Sequence, residues 1–359
     1  MATVSLPTTM KAVRWTSSSG GIQAHFQVVD IPLPSQANSL PPDSTLVKVA
    51  YSSVNPVDYK FPETPLMGRF LNRIPCSDFS GTVVATTLPH LKLDMRVFGM
   101  TTLPAFGALA EYIIIKADQG IVPVPDGVRL QDTAALGIAG LIAYQCVAPY
   151  VSTGSRILIN GGSGGVGTFA IQIAKALGCS VTATCSGPNV ELCKSLGADE
   201  VIDYRSTDVV EHLKRSGVQY DHLCDVAFTP ALFWSAQHYL KPAGVYTIIP
   251  GGPDPAALKM LLLPGALGGG QRKVELVKRR LNATYYAQIA EWMQKGLLKT
   301  VIEQEYGLEE VGEAFARLKS GHVRGKLVIK VAGDDQRKRV LESLRYPSSC
   351  SFCTRDGVK

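Results

Sequence analysis

The chain has 359 residues, 46% hydrophobic and 18% charged, enough apolar material for two cores and too much for a disordered or low-complexity protein. Thirty-six Lys and Arg against 30 Asp and Glu leave a formal charge of +6, an excess that suits an anionic cofactor but is too scattered for a nucleic-acid surface. Eight cysteines are too sparse for a secreted disulfide framework, and no stretch reaches the roughly 18 apolar residues of a membrane span, so a soluble cytoplasmic protein is expected.

Residues 1–10 are mainly small and polar, and a first strand-like run begins at Lys11, so no cleaved signal or transit peptide is expected. Short β-branched or aromatic runs follow at 46–53, 81–85, 96–99 and 112–116, each bounded by Gly, Pro, Asn or Asp, and predict a mostly β domain. From Thr153 strands alternate with helices, the pattern of a parallel sheet covered on both faces, with strands at 156–160, 180–185, 201–203, 222–226 and 244–249. Between the first two, Val166, Phe169, Ala170, Ile173, Ala174 and Leu177 have the spacing of an amphipathic helix, ended by Gly178.

After Gly252 the pattern loosens through a Pro- and Gly-rich stretch, then gives helices near 284–295 and 308–319 and a last strand at 325–331 that returns to the first domain. Arg272, Lys273, Lys278, Arg279 and Arg280 form the one basic cluster, read as a solvated helix face in preference to an anion-facing patch. The expected division is one domain over 10–125, completed by about 305–333, a second over 126–304, and a polar tail over 334–359. In that tail the Cys350 and Cys353 pair is read as incidental rather than as a redox or metal motif.

Directly after the strand at 156–160 comes Gly161-Gly162-Ser163-Gly164-Gly165-Val166-Gly167, and directly after that the amphipathic helix. Read from Gly162 it is G-x-G-x-x-G, a dinucleotide-binding turn. Gly162 permits the tight turn, Gly164 admits a pyrophosphate to the backbone amides of the Ser163 to Val166 stretch, and Gly167 brings helix close to strand. An NAD site places Asp or Glu at the end of the second strand, but Thr184, Cys185, Ser186 and Gly187 stand there. Ser186, Lys194 and Tyr204, the last followed by Arg205, offer donors to a 2′-phosphate instead, which points to NADP(H). Lys194 has the alternative of being an ordinary exposed helix residue.

Several stretches in order carry a family resemblance: 53–60 (SVNPVDYK), 78–81 (DFSG), 96–99 (RVFG), 107–112 (GALAEY), 134–140 (AALGIAG), the glycine loop, 197–204 (GADEVIDY) and 321–327 (GHVRGKL). Together they resemble the medium-chain dehydrogenase/reductase superfamily, in its zinc-free quinone oxidoreductase and enoyl reductase branch. The resemblance implies an α/β chain: a GroES-like β domain plus a Rossmann domain with a doubly wound parallel sheet. The Cys and His ligands of the zinc-dependent members are missing from 55–60, and only Cys76 occurs in the first 140 residues. Cys76-Ser77 stands where relatives have Gly ahead of Asp78, and 61–73 lacks the Tyr that serves as proton donor in mitochondrial-type enoyl reductases.

The implied activity is NADPH-dependent reduction of a quinone or an α,β-unsaturated carbonyl. Without zinc, negative charge on the substrate oxygen needs protein donors. Asn55 is assigned to that oxyanion and Lys60 to orienting the substrate or relaying a proton; if the piece is extended, Tyr59 points the other way. Each has a plain structural alternative, Asn55 as a turn former before Pro56 and Lys60 as a solvated cation. The resemblance also reaches stand-alone enoyl reductases acting on carrier-bound polyketides, which implies a carrier-protein partner. A third expectation is a non-redox, NADP-binding regulatory or structural protein. The resemblance further implies a homodimer, with the apolar run 258–267 at the interface or over the substrate cleft.

Overall fold

A computed structural model of the protein describes residues 6–332 except 36–38, 65–66, 103–104, 250–253, 264–269 and 278–279. Cys350, Cys353, Lys278, Arg279 and the end of the 258–267 run lie outside the described residues. Strands β1 (Thr9–Trp15) and β2 (Phe26–Pro32) pair antiparallel. Next come β3 (Ser44–Ser53), the short helix α1 (Val57–Lys60), β4 (Asp78–Thr86), β5 (Arg96–Met100), β6 (Tyr112–Lys116) and β7 (Gly120–Pro123). Strand β3 is buried along nearly its whole length, and two register shifts against β4 curl the sheet around it.

Helices α2 (Leu130–Thr133) and α3 (Ala139–Val147) lead into the second sheet. That sheet is built from β8 (Arg156–Asn160), α4 (Gly165–Ala176), β9 (Ser180–Cys185), α5 (Val190–Ser195), β10 (Glu200–Asp203), α6 (Val209–Ser216), β11 (Tyr220–Asp225), α7 (Pro230–Trp234), β12 (Leu240–Ile248), α8 (Pro255–Leu262) and β13 (Lys273–Leu276). All six strands run parallel in the order β10-β9-β8-β11-β12-β13. Alternate residues of β8 feed two cores: Ile157 and Ile159 pack with Phe169 and Ile173 of α4, whereas Leu158 packs with Leu213 of α6 and Phe233 of α7. The order reverses between β8 and β11, so a crevice opens beyond the carboxyl ends of these strands.

After α9 (Ala283–Gln294) the chain returns to the first sheet as β14 (Ile302–Tyr306), α10 (Val311–Lys319) and β15 (Lys326–Lys330). Strand β15 pairs parallel with β14 and antiparallel with β3, which completes the order β14-β15-β3-β4-β5-β7, with β6 added on β3. The return therefore begins at Ile302, a few residues before the expected 305. The basic cluster needs a correction, because Lys273 opens a strand and not a helix. Beside it Arg272 donates to the carbonyls of Leu240 (2.7 Å) and Gln237 (3.0 Å), so it seals backbone and does not form a solvated face. Among the described residues no helix is long and apolar enough to cross a membrane.

Candidate functional site

The glycine loop is shaped by three different constraints. Gly161 has φ 91°, the left-handed region that favours glycine. A Cβ on Gly167 would lie 2.1 Å from the Gly161 carbonyl oxygen, so any side chain there would push α4 off the turn. Gly164 is different: a Cβ there would meet no atom nearer than 3.6 Å, so the space over it is open to a ligand. Gly164 is also the N-cap of α4 and offers no side-chain cap, which leaves the first-turn amides and the helix dipole to an anion. The residues present fit a dinucleotide pyrophosphate.

Beyond the ends of β8, β9 and β11 lies a cavity of about 370 Å³, lined among others by Asn160, Gly161, Thr184, Tyr204, Asp208 and Thr229. Its floor is a connected polar network. Thr184 Oγ1 donates to Asn160 Oδ1 (2.5 Å) and accepts from the Gly161 amide (3.1 Å), while Asn160 Nδ2 donates to Asp225 Oδ1 (2.7 Å) and Thr229 Oγ1 (2.9 Å). Buried Asp225 also accepts from the Thr229 amide (2.7 Å) and the Tyr246 hydroxyl (2.8 Å). Burial and the adjacent Asp225 carboxylate push the Tyr246 phenol well up, so it stays a donor.

Ser186 is buried, and Asn189 Nδ2 bridges it to Ser163, at 3.1 Å and 3.2 Å from their hydroxyls. Tyr204 is half exposed on the cavity rim. Lys194 lies on α5, exposed and 3.1 Å from Glu191, a pairing weak enough to yield to a phosphate. One carboxylate, Asp203 of β10, comes close to Gly187. It is occupied by the Arg205 amide (2.9 Å) and the Ser206 hydroxyl (3.1 Å). Arg324, from the returning segment, is exposed and within electrostatic reach of Cys193 on α5.

The ends of β3, β4 and β15 converge on the far side of the glycine loop. Gly325 donates its amide to Ser163 (2.9 Å), which stitches β15 to the loop. Buried Lys326 places Nζ 2.6 Å from Asn55 Oδ1, 3.1 Å from the Val54 carbonyl and 3.7 Å from Asp78 Oδ2. Asp78 Oδ2 accepts from Asn55 Nδ2 (2.8 Å) and Ser53 Oγ (2.7 Å), and its Oδ1 from the Ile138 amide (2.8 Å). Gly137 must be glycine here, since its Cβ would lie 2.4 Å from Asp78 Oδ1. Asp58, also buried, accepts from the Asn55 amide (2.7 Å). Burial pushes the Asp78 carboxyl up and the Lys326 ammonium down, and each charge opposes the shift of the other. Cys76 adopts φ 65° in the same region, a strained conformation for a residue with a Cβ.

Comparison with known proteins places this geometry. Residues 41–126 match the family model of the alcohol dehydrogenase GroES-like domain, and residues 196–329 match that of the zinc-binding dehydrogenases. The chain is 41% identical over 349 residues to the trans-enoyl reductase pgmF of Aspergillus terreus, covering 91% of this chain and 97% of the relative. It is 30% identical over 336 residues to a chloroplastic quinone-oxidoreductase homolog of Spinacia oleracea, covering 89% and 98%. The quinone oxidoreductase of Coxiella burnetii superposes with a TM-score of 0.79 at 27% identity, over 90% of this chain and 99% of that one. The chain belongs to the medium-chain dehydrogenase/reductase superfamily. It is an oxidoreductase of the kind that uses a nicotinamide dinucleotide.

Among the described residues of this medium-chain oxidoreductase, no three His, Cys, Asp or Glu side chains group to hold a metal ion. Gly162, Ser163, Gly164, Gly165, Val166 and Gly167 form the turn from β8 into α4, Asn189 links Ser186 to Ser163, Tyr204 lines the cavity with Gly161, and Lys194 stands exposed on α5 beside Glu191. Asn55 and Lys60 are separated: Asn55 is 4% exposed inside the cluster, whereas Lys60 is exposed on α1. Tyr59 does not alternate with Lys60 as an extended segment would require, because residues 57–60 are helical. Its ring faces Lys319 Nζ at 5.1 Å. Sequence reasoning missed Asp78, Lys326, Gly137 and Asn189. Asp78 and Lys326 are charged residues opening apolar strands, a local signal that something polar awaits them, but not what.

Proposed function

We propose that the protein is an NADPH-dependent, zinc-independent reductase of a quinone or an α,β-unsaturated carbonyl, working in the cytoplasm. The observation that carries this reading is the Gly325–Ser163 stitch, which sets a dinucleotide loop directly against the Asn55–Asp78–Lys326 cluster. A bound nicotinamide dinucleotide supplies the hydride. The protein's part is to hold the pyrophosphate on α4, to seat the 2′-phosphate among Ser186, Lys194 and Tyr204, and to present Asn55 to the oxygen that gains negative charge. Lys60, exposed on α1 and apart from that cluster, is assigned to orienting the substrate or delivering the proton an enone requires. Among the described residues six cysteines are buried thiols, which fits a reducing compartment.

The 41% identity to a trans-enoyl reductase favours a second reading, in which the unsaturated substrate arrives on a carrier protein. One assay series separates these readings: NADPH and NADH oxidation with a quinone panel, a free enone, an enoyl thioester of N-acetylcysteamine and the same acyl group on a carrier protein. Turnover of free quinone or enone with a preference for NADPH supports the leading reading. Turnover confined to the carrier-bound substrate supports the second. Tight NADPH binding with no oxidation anywhere in the panel would mean a binding protein and not a reductase.

A further inference from the structure

The Asn55 carboxamide has two chemically opposite ends, and which one faces the substrate decides whether it helps or hinders. We propose that Lys326 is a positioning residue for the reduction: it holds the Asn55 carboxamide by its oxygen, so that the amide nitrogen is the end available to the substrate carbonyl. This rests on the reductase reading above.

The orientation is set from both sides. An ammonium only donates and a carboxylate only accepts. Lys326 Nζ lies 2.6 Å from Asn55 Oδ1, and Asp78 Oδ2 lies 2.8 Å from Asn55 Nδ2. Reversing the amide would set donor against donor and acceptor against acceptor. One Nδ2 hydrogen goes to Asp78; the other has no partner among the described residues, and it is the donor left for a substrate oxygen. If the cluster were simply an ion pair, the ammonium would sit on Asp78. Instead it approaches the amide more than 1 Å closer than the carboxylate, at 2.6 Å against 3.7 Å.

The same side chain touches the cofactor cradle. A Cβ on Gly165, the first residue of α4, would lie 3.0 Å from Lys326 Cδ, so the Lys326 stem packs against the glycine loop while its head holds Asn55. Loop and donor thus keep a fixed spacing, which a step sensitive to small displacements requires. With an apolar side chain at 326, Asn55 Oδ1 loses its donor, the amide is held by its bond to Asp78 alone, and its nitrogen is no longer fixed from both sides where negative charge develops.

Lys326→Met keeps the stem and removes the ammonium. The expected result is a fall in kcat of about 10²-fold, the scale of one lost oxyanion donor, with NADPH affinity, read by nicotinamide fluorescence, little changed. Lys326→Arg, which retains a donor, should recover part of the lost kcat. A readout independent of turnover is the Asn55 side-chain amide in ¹⁵N spectra: one sharp, exchange-protected pair in the wild-type protein, broadened or shifted in Lys326→Met. If that variant fails to fold, Asp78→Asn carries the test, because it can keep the Ile138 bond and lose the acceptor for Nδ2. An unaltered Asn55 amide signal in the folded variant overturns the proposal, and so does a loss of kcat matched by an equal loss of NADPH affinity. A wild-type protein that turns over no acceptor defeats the reductase reading instead, while the amide signal still decides the role of Lys326.

Discussion

Gly164 and Gly167 show how differently two glycines of one motif work. The first keeps space open for an anion; the second lets helix and strand touch. Gly167→Ala is therefore expected to lower both the thermal midpoint and NADPH affinity, since its Cβ meets the Gly161 carbonyl oxygen at 2.1 Å; a variant as stable and as tight as the wild type would exclude the close-packing account. Lys194→Ala should weaken NADPH by about 1 to 3 kcal/mol, the range of a charge-assisted contact, and NADH hardly at all. Titrating both cofactors against both proteins checks this, and equal affinities of the wild type for NADPH and NADH would refute the 2′-phosphate site. Lys60→Ala should cost about 10²-fold in enone turnover and less for a quinone, whose reduced oxygens can take protons from water. Unchanged rates on both would leave Lys60 as a solvated cation.

At the scale of elements, the parallel sheet carries a titratable pin. His222 on β11 is fully buried, with Nδ1 2.7 Å from the Val245 carbonyl of β12 and Nε2 2.7 Å from the Cys146 carbonyl of α3. Tyr150 stacks on it with ring centroids 4.8 Å apart. Burial pushes the imidazole down to about 4, against the pull of the two carbonyls. Because the folded value lies below the usual 6.5, the unfolded chain binds more protons as pH falls. The contribution is complete above about pH 6.5, declines below it, and is lost by about pH 4, some 3 kcal/mol in all. Urea unfolding between pH 7.5 and 4.5 should show a shallower loss in His222→Gln than in the wild type, and parallel curves would rule the pin out. Elements were legible where pattern was strong: β6, β8 and β9 fall on the expected residues. Helix α3 was hidden because eight of its nine residues are buried, leaving no polar face to mark a period. Strand β13 was hidden because four residues with charges at 273 and 275 carry too little alternation.

For the whole molecule, the edge strand β13 and helix α8 leave Leu258, Leu262 and Leu276 exposed, a surface suited to a second copy. Light scattering at micromolar concentration should report a homodimer, and replacing Leu258 and Leu262 by Ser should shift it towards monomer. A clean wild-type monomer would leave the patch to the substrate cleft. The sequence by itself determined the α/β character, the strand–glycine loop–helix unit, the missing acid after the second strand and the scarcity of metal ligands. Each of these is local, written in the spacing of neighbouring residues. Only the tertiary structure decided that Lys326 meets Asn55, 271 positions away, that Asp78 pins the Gly137–Ile138 turn, and that Gly325 is tied to Ser163. Such contacts depend on β15 returning beside β3, and a pairing made by chain closure over that separation leaves no periodic trace in the residues that make it.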